Sequence, residues 1–471
     1  MNPLNKFAKT LRTETPDHCT FIPTSEIRQG RKIVKHATLE ERPMARKALI
    51  LVEGSVRGTG PQFVRAAQRL GLHPITLAAD PAQYDYIATE GLEAIRVDTE
   101  NLDALICECS RLRARYDIAG ITSVREDVYI TVGKLCGHFG LPGPNPVSIE
   151  RCCDKFTQRQ LLAQSGVPIP AYRLATNARE IETSAAEIGL PVILKPAVGI
   201  GSIGVRLCRN IDELAEHTNY LLGEKRIRWS SPRILVEEFA QGPYYGANMM
   251  GDDVIAIGAA EFGPPPHFVF REYTHPAPLT DEEYKRIADV SVGCLRALGL
   301  GWGPTNVEFR WTKRGPVVIE VNPRLSGGDP QLVQPAHGID LVTEHIKLVT
   351  GDECDLRRRH SQTATMRSLI PDRDGILDWI DGDIRAAAQP GVVDVKLYVQ
   401  PNTPIVRKGD YLDSIGYVIA ASTSPAQTKA ILQSAVELID WSITPFPTPG
   451  KQEQSSTPHD QQPADVASDR R

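Results

Sequence analysis

Short apolar runs alternate with amphipathic stretches over the first third of the chain. The runs are KALILVEGS at 47–55, HPITLAAD at 73–80, AIRVDT at 94–99 and IAGITSV at 118–124. After the first run, Pro61 can open a helix, because proline is tolerated at a first helical turn. The apolar side chains of that helix recur on one face. Strands that alternate with helices predict a parallel α/β domain.

The loop GSVRGTG at 54–60 follows the first predicted strand. It resembles a dinucleotide-binding fingerprint but does not match GxGxxG in register, and no acidic residue is well placed for a ribose. A plain strand-to-helix turn is the favoured interpretation, and a nicotinamide site is the less favoured alternative.

The pattern changes after a proline-rich boundary at 142–146. A single helix is predicted over 148–165, closed by Gly166 and Pro168. Five strand-like runs then surround one long amphipathic helix at 281–300, which predicts an α+β region built on antiparallel sheet: PVILKPA, RILVEEF, DVIAIGAAEF, VEFRWT and PVVIEVN. Segment 362–445 predicts a further small α+β domain, and the polar, Pro/Gln/Ser-rich end is predicted to be disordered.

Composition limits the class of protein. The formal net charge of −5 provides no general basic field for nucleic acid or for an anionic membrane surface. No apolar stretch reaches the length of about 18 residues that a membrane helix needs, and the N-terminus has no apolar leader. The nine cysteines lack metal-ligand spacing. We therefore expect a cytoplasmic protein with reduced thiols and no nucleic-acid or membrane partner.

A lysine and a glycine-rich loop predict phosphate binding. Lys195 ends an apolar strand and precedes Gly199, Ser202 and two further glycines, Gly201 and Gly204. Glycines let backbone amides approach phosphate oxygens, and a strand-anchored lysine adds a positioned charge. The spacing is neither that of a P-loop nor that of a kinase loop. A simple hairpin turn is the alternative.

A buried strand further on runs into two acids and an aromatic residue, in RILVEEFAQG. The backbone of Glu238 and Ala240 can meet the edge of an adenine there, with Glu237 in support.

The stretch NVEFRWTKRGPVVIEVNPRLSGG predicts two strands joined by a tight turn. Alternation places Glu320 and Asn322 on one face, and Glu308 can meet them across the hairpin. Such oxygen ligands suit Mg²⁺. Arg324 would point at the same centre and steady a transferring phosphoryl group or an oxyanion. Solvated acids on an exposed sheet are the alternative, which the apolar flanks and the NPRLSGG loop disfavour.

Taken in order, these segments resemble the ATP-grasp superfamily from about 46 to 445. The resemblance implies ATP held between two α+β subdomains, with Mg²⁺ (or Mn²⁺) and a carboxylate converted to an acyl phosphate that an amine attacks. It adds Lys155 in RCCDKFTQRQLL as a first ATP-contacting lysine. The site residues it implies are Lys155, Lys195, Gly199, Gly201, Ser202, Gly204, Glu237, Glu238, Phe239 and Ala240 for ATP, Glu308, Glu320 and Asn322 for the metal, and Arg324, Ser326 and Gly327 for catalysis.

The resemblance also implies a division of the chain. An N-terminal extension (1–45) precedes a pre-ATP-grasp α/β domain (46–145). The ATP-grasp domain (146–360) has a lid at about 172–245 and a metal-binding part at about 246–355. A C-terminal α+β domain (361–447) precedes a disordered tail (448–471).

Within the superfamily, EVNPRLSGG, HFVFREYTHPAPL and GDYLDSIGYVIA are most similar to L-amino-acid ligases. This implies small-molecule carboxylate and amine substrates, and leaves a homodimer open. A biotin-carboxylase-like or purine-pathway ligase and an inactive ATP-binding regulator are the alternatives. Glu272 and His275 are candidate general bases.

The chain departs from the family pattern at three positions near the expected substrates. Tyr244 stands where relatives often carry an acid after the hinge, Phe270 replaces a common glutamate, and Asn306 replaces a frequent histidine. Gly327 and Gly328 follow the arginine where a bulky residue could stand. We expect them to leave space for a larger acyl substrate.

Overall fold

The computed structural model describes residues 45–55, 58–224 and 233–447. The predicted extension at 1–45, apart from Ala45, and the predicted tail at 448–471 lie outside these ranges.

The strands of the first domain pair in parallel, as the alternating pattern predicted. Their order is β3-β2-β1-β4, and Ile50 on β1 lies beside Ile75 on β2 and Ile121 on β4. Helices pack on both faces, and Phe63 and Val64 of α1 are buried. The elements are β1 Lys47–Val52, α1 Gly60–Arg69, β2 His73–Ala78, α2 Asp85–Thr89, β3 Glu93–Arg96, α3 Leu102–Arg113, β4 Asp117–Thr122 and α4 Tyr129–Phe139.

The prediction of a single helix over 148–165 is wrong, because the helix is interrupted at Asp154. The structure has two helices, α5 Pro146–Cys153 and α6 Lys155–Gln164. Asp154 has an extended backbone, and its carboxylate accepts a hydrogen bond from the Thr157 amide at 2.8 Å. Aspartate is a strong N-cap. The cap starts a new helix and makes Lys155 its first residue.

A four-stranded antiparallel sheet occupies the segment that was predicted as the lid, and we keep that name for it. Its order is β5-β8-β6-β7, and two helices cover it through a core that includes Ile181, Leu194 and Leu214. The elements are β5 Tyr172–Ala175, α7 Ala178–Ile188, β6 Val192–Pro196, β7 Arg206–Cys208, α8 Ile211–Gly223 and β8 Ile234–Glu238. The antiparallel α+β prediction is confirmed here.

The largest sheet in the described ranges has eight strands. Its order is β13-β12-β9-β10-β11-β14-β18-β16. Helix α9 begins with a capping box at Thr280 and packs against Val307 and Phe309 on one face. The opposite face carries the polar residues Asn306 and Glu308 on β12 and, elsewhere on the sheet, an apolar cluster that includes Tyr273 and Leu332. The strands and helix are β9 Tyr244–Met250, β10 Asp253–Phe262, β11 Phe270–His275, α9 Asp281–Leu298, β12 Pro304–Thr312, β13 Gly315–Asn322, β14 Thr363–Leu369, β16 Val392–Leu397 and β18 Gly416–Ser422.

The C-terminal segment has the predicted α+β composition, but three of its strands extend the large sheet. Strand β14 pairs with β11, so that Met366 lies opposite Tyr273. A second sheet of order β17-β15-β19 lies beyond it. The remaining elements are α10 Asp329–His337, α11 Leu341–Thr350, β15 Gly375–Asp381, α12 Asp383–Ala387, β17 Pro404–Ile405, α13 Pro425–Val436 and β19 Asp440–Thr444.

Two further sequence predictions concern membranes and thiols. Within the described ranges, every helix is too short or too polar to cross a membrane. All eight cysteines that these ranges contain are free thiols.

A buried histidine ties the first domain to the C-terminal half. His345 of α11 shares a hydrogen bond of 2.9 Å with the Thr122 hydroxyl at the end of β4. Burial lowers the pKa of His345 to about 4. The unfolded chain, with a histidine pKa near 6.5, binds the proton first as the pH falls. Stability supplied by neutral His345 is therefore lost between about pH 6.5 and pH 4.

We predict that His345→Gln flattens the acid limb of the stability profile. Between pH 7 and pH 4.5 the wild type should lose on the order of 2–3 kcal/mol more than the variant. Urea unfolding followed by circular dichroism at the two pH values measures this. The exposed His138→Gln variant is the control and should follow the wild type. Equal pH dependence in all three proteins would contradict the prediction.

Candidate active site

Two glutamates lie side by side on the polar face of the large sheet. The β12–β13 register pairs Glu308 directly with Glu320, and Asn306 with Asn322. The Asn322 amide donates to Glu308 Oε1 at 3.1 Å. The two acids and the amide predicted from NVEFRWTKRGPVVIEVN therefore do converge.

The two predicted lysines approach this pair from other elements. Lys155, the first residue of α6, places its Nζ 2.9 Å from Glu320 Oε1 and donates to the Gly199 carbonyl at 2.6 Å. Lys195 of β6 is buried, and its Nζ lies 2.5 Å from Glu237 Oε2. It also reaches the Ile319 carbonyl at 3.4 Å. Both ammonium groups thus face the hairpin rather than solvent.

A buried arginine that the sequence analysis missed completes this cluster. Arg159 of α6 is fully buried, and its Nε donates to Glu237 Oε1 at 2.6 Å. Its Nη2 donates to the Ile319 carbonyl. Arg159 follows Lys155 by four residues, and residues at that spacing share a helix face. That spacing was the available indication in the sequence.

Arg324 is held from the first domain. Its Nε lies 3.0 Å from Glu126 Oε2, in the loop between β4 and α4. Burial would lower the pKa of Arg324, but Glu126, Glu308 and Glu320 outweigh it and keep the guanidinium charged. Arg324 is therefore close enough to both carboxylates of the predicted centre to interact with them electrostatically. Glu126 could not be predicted as its partner from sequence patterns, because the contact joins positions 198 residues apart.

Charges in the centre are balanced with one exception. Burial alone would raise the pKa of Glu320, but Lys155 and Lys195 outweigh it and hold that pKa below its usual range. Within the part of the chain that the structure describes, the hydrogen-bond donors to Glu308 are the Asn322 amide and the Tyr244 hydroxyl. Burial, and then the Glu320 charge, raise the pKa of Glu308 to about 7. Glu308 is the acid that lacks a paired cation among the described residues.

This arrangement fits a divalent cation with oxygen ligands. A cation beside Glu308 and Glu320 would remove the repulsion between the two carboxylates, and Asn322 adds a carbonyl oxygen. The described residues hold no group of three or more His, Cys, Asp or Glu side chains arranged for a metal ion. The fit therefore rests on two acids and one amide, which suits a metal that keeps water and phosphate oxygens as further ligands.

The glycine loop lies between the lid and the C-terminal segment. Gly201 has a left-handed φ of 63°, and the Tyr411 amide donates to its carbonyl at 3.3 Å. A Cβ at Gly201 would lie 2.3 Å from the Tyr411 ring. The buried His217 imidazole holds the Gly204 carbonyl at 2.9 Å. The loop, which also contains Gly199 and Ser202, is thus fixed at both ends, and its contact with Tyr411 was not predicted.

Residues of the predicted adenine hinge are engaged in contacts within the protein. Glu237 is the buried partner of Lys195 and Arg159. The Glu238 amide donates to the Ala171 carbonyl at 2.8 Å, so it is not a free donor for a base. Phe239 lies 6.3 Å from Phe268, and Ala240 is buried. A base-binding role for Ala240 stays a prediction.

A fixed turn carries the predicted catalytic residues Ser326 and Gly327. Asp329, at the start of α10, accepts a hydrogen bond of 2.6 Å from His275. Burial alone would raise the pKa of Asp329, but hydrogen bonds from His275 and Ser326 hold it below its usual range. A Cβ at Gly327 would meet open space, whereas one at Gly328 would contact Met366. The predicted space next to the arginine is present at Gly327.

The two candidate bases are placed differently from the expectation. The Glu272 carboxylate is bound by Arg367 at 2.6 Å, and it alternates along β11 with Tyr273, which faces the site. Glu272 therefore points to the other face of the sheet. His275 is fully buried against Asp329, so it positions the turn rather than facing an open cleft.

Comparison with known proteins agrees with this geometry. A parallel α/β domain, an antiparallel lid and a paired-glutamate hairpin facing two lysines are features of the ATP-grasp class of ATP-dependent ligases. Residues 154–357 match the ATP-binding domain of the carbamoyl-phosphate synthase large chain, and residues 367–444 match the L-amino acid ligase C-terminal domain 2. The chain belongs to the ATP-grasp family of carboxylate–amine ligases, whose members use ATP with Mg²⁺.

Relatives of this chain differ in how much of their length it covers. Protein y4rH of Sinorhizobium fredii is 64% identical over 410 residues, 87% of this chain and 86% of that protein. Human carnosine synthase 1 is 27% identical over 352 residues, 67% of this chain but 42% of that protein. This chain therefore spans less than half the length of carnosine synthase.

Among solved structures, the L-amino acid ligase of Bacillus licheniformis has a TM-score of 0.71 at 20% identity, over 85% of this chain and all of that one. The biotin carboxylase domain of the Hydrogenobacter thermophilus 2-oxoglutarate carboxylase, solved with MgADP and bicarbonate, has a TM-score of 0.63 at 19% identity, over 85% of this chain and 92% of that one. At such identities the likeness concerns the fold.

We predict that Gly201→Ala impairs nucleotide use without unfolding the protein. The added methyl group would strain the left-handed backbone and displace either the loop or Tyr411. We expect kcat/KM for ATP to fall about 10-fold or more, in a coupled assay of ADP release.

Gly223→Ala, at the end of α8 in the same lid, is the matched control. A Cβ there meets open space, so its kinetics should equal those of the wild type. Wild-type kinetics in both variants would contradict a role of the glycine loop in nucleotide binding.

Proposed function

We propose that this chain uses ATP to activate the carboxylate of an amino-acid-like substrate and joins it to an amine, forming an amide or peptide bond in small-metabolite biosynthesis. The observation that carries the proposal is the half-buried pair Glu308 and Glu320. Lys155 pairs with Glu320, and Lys195 lies beside the pair, bound to Glu237. This pair and the lysines could hold a metal-bound triphosphate between lid and sheet.

The lysines would bind phosphate oxygens, and the glycine loop would cover them. Glu308, Glu320 and Asn322 would hold Mg²⁺, which neutralises phosphate charge and polarises the transferred phosphoryl group. Because Lys155 now pairs with Glu320, a bound triphosphate would have to compete for this ammonium group. Catalysis would consist mainly of positioning and charge stabilisation.

Arg324 would act on the acyl side of the reaction. The substrate carboxylate attacks the γ-phosphorus, ADP leaves, and the amine then displaces phosphate from the acyl phosphate. Arg324, oriented by Glu126, would stabilise the negative oxygen that develops when the amine adds. The Ser326–Gly327 turn, anchored through Asp329, would line the same place. The group that takes the amine proton is not assigned.

Biotin carboxylases supply the second candidate function. The chloroplastic enzyme of Populus trichocarpa is 27% identical over 343 residues. Under this alternative the acid activated by ATP would be bicarbonate. Phosphate release measured against a matrix of bicarbonate, other carboxylates and amino acids, with product masses, separates the two. Release that needs bicarbonate and no amino acid would overturn the ligase proposal.

A catalytically inactive ATP-binding regulator is the remaining alternative. It is motivated by Tyr244, Phe270 and Asn306, and Tyr244 donates directly to Glu308. The same substrate matrix tests it. Binding of Mg-ATP without phosphate release stimulated by any acid and amine pair would favour the regulator.

We predict that Glu308→Gln and Glu320→Gln each lower phosphate release about 100-fold or more, since each removes a charge that would hold Mg²⁺. Phosphate release at a series of Mg²⁺ concentrations measures the loss. Glu261→Gln, an exposed acid on β10 of the same sheet, is the control and should retain activity. Full activity in either site variant would refute the assignment of the metal ligands.

We predict that Gly327→Leu narrows the range of acyl substrates. The side chain would enter the open space at Gly327, so large acyl groups should lose kcat/KM by about 10-fold or more while small ones change little. Product masses from a mixture of small and bulky amino acids measure the shift. A wild-type enzyme that accepts only glycine- and alanine-sized acyl groups would contradict the expectation.

A further inference from the structure

One arginine of the large sheet lies within a cage of aromatic rings beside the candidate site. The Arg310 guanidinium carbon lies 5.6, 5.0 and 5.7 Å from the ring centroids of Tyr244, Phe262 and Phe268. Its Nη1 donates to the Gly242 carbonyl at 3.0 Å. No carboxylate of the described ranges forms an ion pair with it, and burial lowers its pKa. Arg310 is half-buried, and among the described residues its guanidinium is held by aromatic rings and a carbonyl rather than by an ion pair.

The position of Arg310 follows from the strand. Side chains two residues apart on β12 share a face, so Arg310 lies roughly 7 Å beyond Glu308. In that direction β12 pairs with the start of β9, where Arg310 lies opposite Tyr244. The Trp311 amide also donates to the Pro243 carbonyl at 2.9 Å. Arg310 is therefore between the glutamate pair and the segment that follows the hinge.

The aromatic rings connect this cage to the hinge itself. The ring centroid of Phe268 lies 6.3 Å from that of Phe239 in the hinge and 6.2 Å from that of Phe262. The ring centroids of Tyr244 and Phe262 are 5.1 Å apart, and the Tyr244 hydroxyl donates a hydrogen bond to Glu308. The rings and the bond to Gly242 leave the guanidinium plane little freedom. A planar, charged group is thus held between the segment predicted to be the adenine hinge and the centre predicted to bind phosphate.

We propose that Arg310 is the platform on which the nucleotide base stacks, and that it favours purine over pyrimidine triphosphates. The inference rests on the proposed use of ATP. A guanidinium plane stacks on a π-face, and a purine presents a larger π-face than a pyrimidine. The aromatic cage fixes the plane before the nucleotide arrives, so little rotamer freedom is lost on binding.

The test compares Arg310→Met and Arg310→Lys with a matched control. The Arg286 guanidinium carbon lies 5.1 Å from the ring centroid of Trp311. Trp311 belongs to the core on the opposite face of the same strand. Arg286→Met therefore removes an arginine–aromatic contact away from the site. Calorimetry gives the Kd of each protein for Mg-ATP, Mg-CTP and Mg-tripolyphosphate, the last of which has no base.

We expect Arg310→Met to weaken Mg-ATP binding about 5- to 30-fold and to reduce the preference for ATP over CTP. Affinity for Mg-tripolyphosphate should be unchanged, and Arg286→Met should match the wild type. Arg310→Lys keeps the positive charge but lacks the planar guanidinium. Its Kd for Mg-ATP should lie between those of the wild type and of Arg310→Met. If the methionine variant does not fold, the lysine variant decides by the same comparison.

Two results would overturn the inference. An equal loss for Mg-ATP and Mg-tripolyphosphate would make Arg310 a phosphate ligand. Unchanged ATP affinity with a raised KM for the carboxylate would make it a substrate ligand. Failure of the wild type to bind Mg-ATP would instead refute the proposed function, so the two hypotheses fail by different observations.

Discussion

The repulsion between two half-buried carboxylates is the constraint on which the candidate site depends. Glu308 and Glu320 are held opposite each other by the register of a hairpin, which fixes the backbone from which both carboxylates extend. Buried like charges are costly unless cations lie close. The surrounding elements bring such cations close, but no cation of the described ranges forms an ion pair with Glu308, whose pKa is raised.

Several features of the fold follow from that constraint. The break at Asp154 starts a helix whose first residue meets Glu320, and Arg159 one turn later meets Glu237. The lid adds its lysine at the end of an apolar strand. The first domain contributes Glu126 to orient Arg324. The cations thus come from helix α6, from strand β6 of the lid and from the loop after β13, which makes the site a product of how the domains pack.

This origin explains what could be predicted from the sequence. Strand periodicity predicted the parallel sheet of the first domain and the antiparallel character of the region after it. It also predicted the shared face of Glu308, Glu320 and Asn322. These features depend on neighbours along the chain. The resemblance supplied Lys155. The partner of Arg324 and the cage around Arg310 depend on contacts between distant segments, which periodicity does not encode. The helix break was missed because Asp154 was taken as a helix residue rather than as a cap.

The C-terminal strands have a consequence for how the protein can be divided. Strand β14 pairs with β11, so backbone bonds cross from the nucleotide-binding half into the segment that was expected to be a separate domain. Cutting the chain near residue 360 would bare a long sheet edge, and such edges recruit other strands and aggregate. The C-terminal segment is therefore not a detachable module, and exchanging it between relatives would require the whole sheet to be transplanted with it.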